Sequence, residues 1–122
     1  MSSVDLHLHT TASDGWLSPS DLVKLIAKRG VKLAAITDHD STNGLPEAFE
    51  AKEAFPDLTL IPGIEISTDM PGNEIHILGY FVEWQDDKFQ RALEGLRVGR
   101  VERARDMVSK LADLHIYVEW ER

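Results

Sequence analysis

Asp5-Leu6-His7-Leu8-His9 sets a carboxylate and two imidazoles at every second position of one short run. If the run is a β-strand, Asp5, His7 and His9 share one face, and Val4, Leu6 and Leu8 the other. Imidazole nitrogens converging from one side are what a divalent cation takes as ligands. An isolated H-x-H arises readily by chance, and half-buried strand histidines with ordinary hydrogen-bond partners are its structural counterpart. Asp14, His39, Glu65 and His76 further along the chain move the balance toward a metal.

Each of those residues also has a competing role. Asp14 precedes Gly15, and Asp-Gly on its own reads as a turn. Asp38 and Asp40 flank His39, and either could cap the helix expected next. We read His39 as a ligand, Asp38 as a group that orients a ligand, and Asp40 as the cap. Glu65 interrupts the apolar stretch over residues 58–66, where a carboxylate is seldom buried without a compensating cation. Glu74 and His76 fall on one face of a later strand, and His76 is otherwise a polar residue among Ile75, Ile77 and Leu78. His115 has only Asp113 near it and is read as structural.

Histidines 7, 9, 39 and 76 with Asp14 and Glu65 are too many donors for one tetrahedral zinc. They suit two or three divalent cations sharing a carboxylate. Such a cluster keeps a hydroxide at neutral pH and clamps a phosphate during in-line attack. No Ser-His-Asp order and no Gly-rich phosphate loop is present, which leaves metal-assisted hydrolysis as the reaction class.

The elements that must position these groups follow from the pattern. Residues 4–9 form a first strand, followed by a polar turn through Ser13-Asp14-Gly15. Ser18 is the N-cap of a helix with Pro19 at its first position, Asp21 near its positive end, and Gly30 as its stop. Residues 33–37 form a buried strand. A helix runs from about Pro46 to Ala54 and is broken by Pro56-Asp57. Residues 58–66 form a third strand, Asp69 to Asn73 with Pro71 and Gly72 a hairpin-type turn, and residues 74–82 a fourth strand. One long helix spans residues 86–114, with Gly95 and Gly99 loosening it and Leu93, Leu96, Met107 and Leu111 as its core stripe. His115 to Trp120 starts a fifth strand. The order β-α-β-α-β-β-α is that of an α/β fold. His7, His9, His39 and Glu65 then lie at or near carboxyl ends of successive strands, where ligands bind in such folds.

The 122 residues make at most one domain, and 43% hydrophobic with 28% charged residues is an ordinary globular composition. A formal net charge of −8 excludes a large basic nucleic-acid surface, although bound cations would reverse the local potential. Cysteine is absent, so no disulfide framework or thiol nucleophile exists. The start MSSVDLHLH lacks the pattern of a signal peptide, and no apolar run nears the about 20 residues of a membrane span. We expect a cytoplasmic protein with no membrane partner.

D-L-H-L-H-T at 5–10, S-D-G at 13–15, T-D-H-D at 37–40, P-G-I-E-I-S at 62–67 and H-I-L-G-Y at 76–80 together resemble the PHP (polymerase and histidinol phosphatase) superfamily. The long helix with Arg97, Arg100, Arg103 and Arg105 is similar to its stand-alone phosphoesterase branch. That resemblance implies part of a distorted (β/α)7 TIM-like barrel, about its first half, with a metal site of manganese, iron, zinc or magnesium. It implies that His7 and His9 bind one metal, that Glu65 bridges it to a second taking His76, and that Asp14 and His39 help hold a third. Asp5 and Asp38 would stand behind the ligands. The substrate implied is a phosphorylated small molecule or short oligonucleotide.

The resemblance also implies that residues 1–122 are the amino-terminal portion of a PHP domain, without its later strands, later ligands and inserted domain. The expectation is weakened metal binding, poor or no activity, and self-association through an exposed barrel edge. Two rivals stand beside the hydrolase: a non-catalytic PHP module with a structural or partner-binding role, and C–N bond hydrolysis as in amidohydrolase-like barrels. The D-H-D at 38–40 and the setting of Glu65 fit the second of these less well.

Overall fold

Ser18 accepts a hydrogen bond from the Asp21 backbone N–H at 3.1 Å, and Pro19 opens the helix behind it. The same helix stops where Gly30 adopts φ +81°, with Gly30 N–H bonded to the Ala27 carbonyl and Val31 N–H to that of Ile26. That pair of bonds satisfies carbonyls that a helix end otherwise leaves open. In the computed structural model, which describes residues 3–70 and 73–119, the order is β1 (Val4–Leu8), α1 (Pro19–Lys28), β2 (Leu33–Ile36), α2 (Leu45–Lys52), β3 (Thr59–Met70), β4 (Asn73–Tyr80) and α3 (Asp87–Asp113). This is the β-α-β-α-β-β-α order that the sequence predicts.

The strands form one sheet in the order β1-β2-β3-β4, parallel across the first two pairs and antiparallel between β3 and β4. Leu22, Val23 and Ile26 of α1 and Leu45 and Ala48 of α2 pack on Ala34, Ile36, Leu58 and Leu60. Ala34 and Ile36 face this core, so alternation turns Ala35 to the opposite face, where it is also fully buried. Short apolar strands covered on both sides are what parallel βαβ units require. Although β1 and β4 are opposite edges of the sheet, the Tyr80 hydroxyl donates to the Leu6 carbonyl at 2.8 Å. The sheet is therefore curled, as the first half of a distorted TIM-like barrel.

Several expectations need correction. Along β1, the step from Asp5 to Leu8 matches the shorter step from Ala34 to Ile36, so a register shift interrupts simple alternation. The third strand runs on to Met70 because β4 pairs with it as far as Met70↔Asn73. Of the expected turn, Pro71 and Gly72 lie outside the described residues. The fourth strand ends at Tyr80 rather than Val82, since Phe81 takes φ +59°.

No fifth strand starts at His115. That residue adopts φ +61° and donates to Ala112, while Ile116 N–H bonds Leu111, so this segment closes α3, and residues 116–119 are irregular. Trp120 lies outside the described residues. The stripe on α3 is not core either. Leu93 is 2% exposed, but Leu96 and Met107 are exposed and Leu111 is only partly covered, because no described element lies against that part of the helix. At 27 residues, α3 is well above the ~12–15 below which isolated helices are marginal. Gly95 and Gly99 sit within it without ending it.

Two glycines separate packing from propensity. A Cβ on Gly63 would come within 2.8 Å of Thr37 Cγ2 and 2.9 Å of the Ile36 carbonyl oxygen, whereas one on Gly95 would meet nothing within 4 Å. Gly63→Ala should cost about 1–3 kcal/mol by overpacking. Gly95→Ala should stabilise by about 0.5–1 kcal/mol through helix propensity. Urea denaturation of the two variants checks the opposite signs.

Candidate metal centre

Glu65 lies midway along β3, with its backbone N–H on the Asp38 carbonyl and its own carbonyl accepting from the Asp40 N–H, each at 3.0 Å. These bonds extend the parallel pairing past the end of β2, so His39 stands directly beside Glu65. On the other side, β4 places His76 opposite Ser67, one same-face position from Glu65. His7 is in β1, and His9 follows its last residue. Four histidines, two from strands β1 and β4 and two from the segments that follow β1 and β2, thus reach one carboxylate.

The contacts divide evenly between its oxygens. Oε1 of Glu65 faces Nε2 of His7, in close contact, and Nε2 of His9 at 3.4 Å. Oε2 faces Nδ1 of His39 at 3.2 Å and Nδ1 of His76 at 2.8 Å. The His9 and His39 rings are stacked, with centroids 4.5 Å apart and planes 18° apart. Their other nitrogens turn to Asp14, His39 Nε2 at 3.2 Å and His9 Nδ1 at 3.5 Å. Two stacked imidazoles therefore span from the Glu65 carboxylate to that of Asp14. His76 Nε2 lies 3.3 Å from the exposed Glu74.

Glu65 is only 4% exposed. Burial by itself would raise its carboxyl; the hydrogen bond from His7, the charge of His39 and the hydrogen bond from His76 more than reverse this. The carboxyl therefore stays below its ordinary value and ionised.

Donor atoms fall within 4.8 Å of one another in three groups: His7, His9 and Glu65; His9, Asp14 and His39; and His39, Glu65 and His76. The donors are all nitrogen and oxygen, a set that suits divalent cations. His9 Nδ1 is buried yet makes no hydrogen bond, since Asp14 at 3.5 Å is a charge neighbour without hydrogen-bond geometry. A buried imidazole nitrogen with a free lone pair or proton is costly unless something occupies its direction. The residues present fit a metal.

Asp38 and Asp5 stand apart from the rings. Asp38, 1% exposed, accepts from the Thr10 N–H, the Thr10 hydroxyl and the Ser13 hydroxyl, each at 2.7 Å. It ties the loop that carries Asp14 to the end of β2. The same loop presses so closely on β1 that a Cβ on Gly15 would lie 2.4 Å from the His9 carbonyl oxygen. Asp5 Oδ1 accepts from the His7 backbone N–H at 3.3 Å.

Asp40 is not the cap of α2; that position is Gly44, which makes no side-chain cap bond. With φ +50°, Asp40 turns its carboxylate to the Ser67 N–H and to the Arg100 guanidinium, and its carbonyl accepts from Arg97 at 3.3 Å. Buried acids find the strongest partner within reach, and here that partner comes from α3. Sequence reasoning missed Thr10 and Ser13 as partners of Asp38. Their only signal was hydroxyl side chains in a polar turn close to a candidate site.

The PHP domain family matches residues 5–93. The 3′,5′-nucleoside bisphosphate phosphatase of Chromobacterium violaceum is 37% identical over 111 residues, covering 91% of this chain and 39% of that protein. The 5′-3′ exoribonuclease of Salmonella typhimurium is 41% identical over 118 residues, covering 96% of this chain and 40% of its own. A solved structure from Bifidobacterium adolescentis, assigned as a metal-dependent phosphoesterase, superposes with a TM-score of 0.75 at 34% identity, over 90% of this chain and 38% of that one. The chain spans about two fifths of the length of the curated relatives it matches. Among the described residues, no helix is long and apolar enough to cross a membrane. With the matched segment holding all six clustered donors and the relatives named as enzymes that cleave phosphate esters, the chain belongs to the PHP family and is of phosphoesterase ancestry.

Proposed function

We propose that this chain carries the metal-binding portion of a metal-dependent phosphoesterase acting on nucleotide or short oligonucleotide phosphates. The observation that carries the reading is Glu65, each of whose carboxylate oxygens faces two imidazoles. His7, His9 and Glu65 would hold one divalent cation, and His39, Glu65 and His76 a second. Asp14 and His39, joined by His9, are available to a third. Manganese, iron, zinc and magnesium are the candidates. Bound there, such cations supply positive charge for phosphate oxygens and acidify a water for in-line attack.

The chain's own groups set that chemistry up. Asp38 is a positioning residue: by holding Thr10 and Ser13 it fixes the loop that presents Asp14. Asp5 acts in the same way on the backbone of His7. The names of the two relatives, a nucleoside bisphosphate phosphatase and an exoribonuclease, support a nucleotide-type phosphate ester. A net charge of −8 favours a small or short substrate over a long duplex, whose phosphates need a basic surface. We take the chain as the amino-terminal portion of a cytoplasmic PHP domain. Its edge strand β4, with Ile75 and Ile77 exposed, offers a barrel edge for association with further copies.

Two measurements test this reading. Elemental analysis after loading with Mn²⁺ should find about two or three cations per chain. Asp38→Asn should weaken their binding by about 10–100-fold while far-UV circular dichroism stays unchanged. A metal-free chain would sink the assignment. In assays with Mn²⁺, release of phosphate from a nucleoside 3′,5′-bisphosphate should fall by at least roughly 100-fold in His9→Ala, because losing a ligand costs no less than losing the partner that orients one. Equal turnover by wild type and His9→Ala would exclude the metal mechanism, and cation binding with no turnover would favour the non-catalytic module.

A further inference from the structure

Trp16 is 97% exposed, more than any other large hydrophobic residue described. Single exposed apolar side chains are ordinary, so exposure alone assigns nothing. What distinguishes Trp16 is where it stands and how firmly it is held. It lies two residues from Asp14, whose carboxylate is 3.2 Å from His39 and 3.5 Å from His9. Two residues of chain span at most about 7 Å, so the backbone that carries the indole lies at the rim of the metal centre.

The backbone on both sides of it is fixed. Gly15 N–H bonds the Thr10 carbonyl at 2.8 Å, and the Thr11 N–H bonds the Leu17 carbonyl at 2.9 Å. Gly15 also packs so tightly on His9 that no side chain fits there. On the far side, Leu17 packs against the hydrophobic core, and Ser18 caps α1. A rigid loop therefore presents to solvent a large flat ring that contributes nothing to the core.

We propose that Trp16 is a stacking platform for the nucleobase of the substrate, and so a specificity residue that makes this site prefer nucleotides over other phosphate esters. The inference rests on the phosphoesterase reading and deepens it. Charge supplies the second half of the argument. With 13 Lys and Arg against 21 Asp and Glu, the chain has little electrostatic attraction for a nucleic acid beyond its metal centre. Stacking of a base on an aromatic ring needs no net charge and tolerates every base, because each has a π-face. It would add affinity at the end of the substrate remote from the phosphate, and the neighbouring carboxylates would not oppose it.

Isothermal titration calorimetry of the Mn²⁺-loaded chain with adenosine 5′-monophosphate and with ribose 5-phosphate tests the proposal in wild type and variants alike, since the nucleotide differs by a base in place of the sugar's anomeric hydroxyl. The nucleotide should bind roughly 5- to 150-fold more tightly. Trp16→Ala should remove that difference and leave ribose 5-phosphate binding as it was, whereas Trp16→Phe should keep most of it. Equal binding of both ligands to wild type overturns the platform and leaves the phosphoesterase reading standing. So does a Trp16→Ala loss shared by both ligands, which would mean a role in loop structure, or a nucleotide affinity that Trp16→Ala does not change. Failure of both ligands to bind overturns the two readings together.

Discussion

A buried carboxylate that must remain ionised governs this structure. Removing Glu65 from water costs several kcal/mol unless partners replace the lost hydration. Four imidazoles do so, two on each oxygen, and they come from β1, its following loop, the end of β2, and β4. Each of those elements has to arrive at the right place for Glu65 to be tolerated in an apolar strand. The parallel register of β2 on β3 delivers His39, and the antiparallel return of β4 delivers His76. The contact of Tyr80 with Leu6 draws the sheet's two edges together, as is needed for His7 and His76 to share one acid.

A second buried carboxylate solves the same problem differently. Asp38 meets no imidazole; one backbone N–H and two hydroxyls surround it. Neutral donors of this kind satisfy a charge without bringing a metal-type ligand to it, so Asp38 holds loop geometry while Glu65 gathers the imidazoles. The division explains why residues 37–40 hold two acids around one histidine. Asp38 points back to the β1 loop, His39 sideways to Glu65 and Asp14, and Asp40 outward to Ser67 and Arg100. The positive φ of Asp40 lets the chain turn away after His39 while its carboxylate remains buried.

Much of this was legible because local rules and tertiary demands agree. Ser18-Pro19, the Gly30 stop and the apolar runs specify α1, β2 and β3 with short-range signals alone. The donor residues could be picked out because polar groups at strand ends or within apolar strands have few structural uses. Where reading failed, the deciding partner was far away in sequence. Asp40 has the composition of a helix cap, yet Arg100, sixty positions later, claims it. The apolar stripe of α3 has the periodicity of a buried helix, but periodicity states only that a face is apolar and says nothing of what lies against it. His115 resembles a strand start because its following residues are β-formers, and the positive φ that instead closes α3 leaves no mark in composition.

The electrostatics of the centre follow from the same arrangement. Glu65 and Asp14 bring negative charge to the site, and the chain as a whole is acidic. A phosphate would be repelled from such a place. Any two divalent cations outweigh both carboxylates and reverse the local sign, while the overall charge still disfavours long polyanions. Arg100 works in the same direction, because its ion pair with Asp40 offsets the charge of a buried acid beside His39. Under the proposed phosphoesterase reading, an acidic composition and a phosphate ligand are compatible only through cations, and affinity for such a ligand would rise and fall with metal occupancy rather than with surface charge.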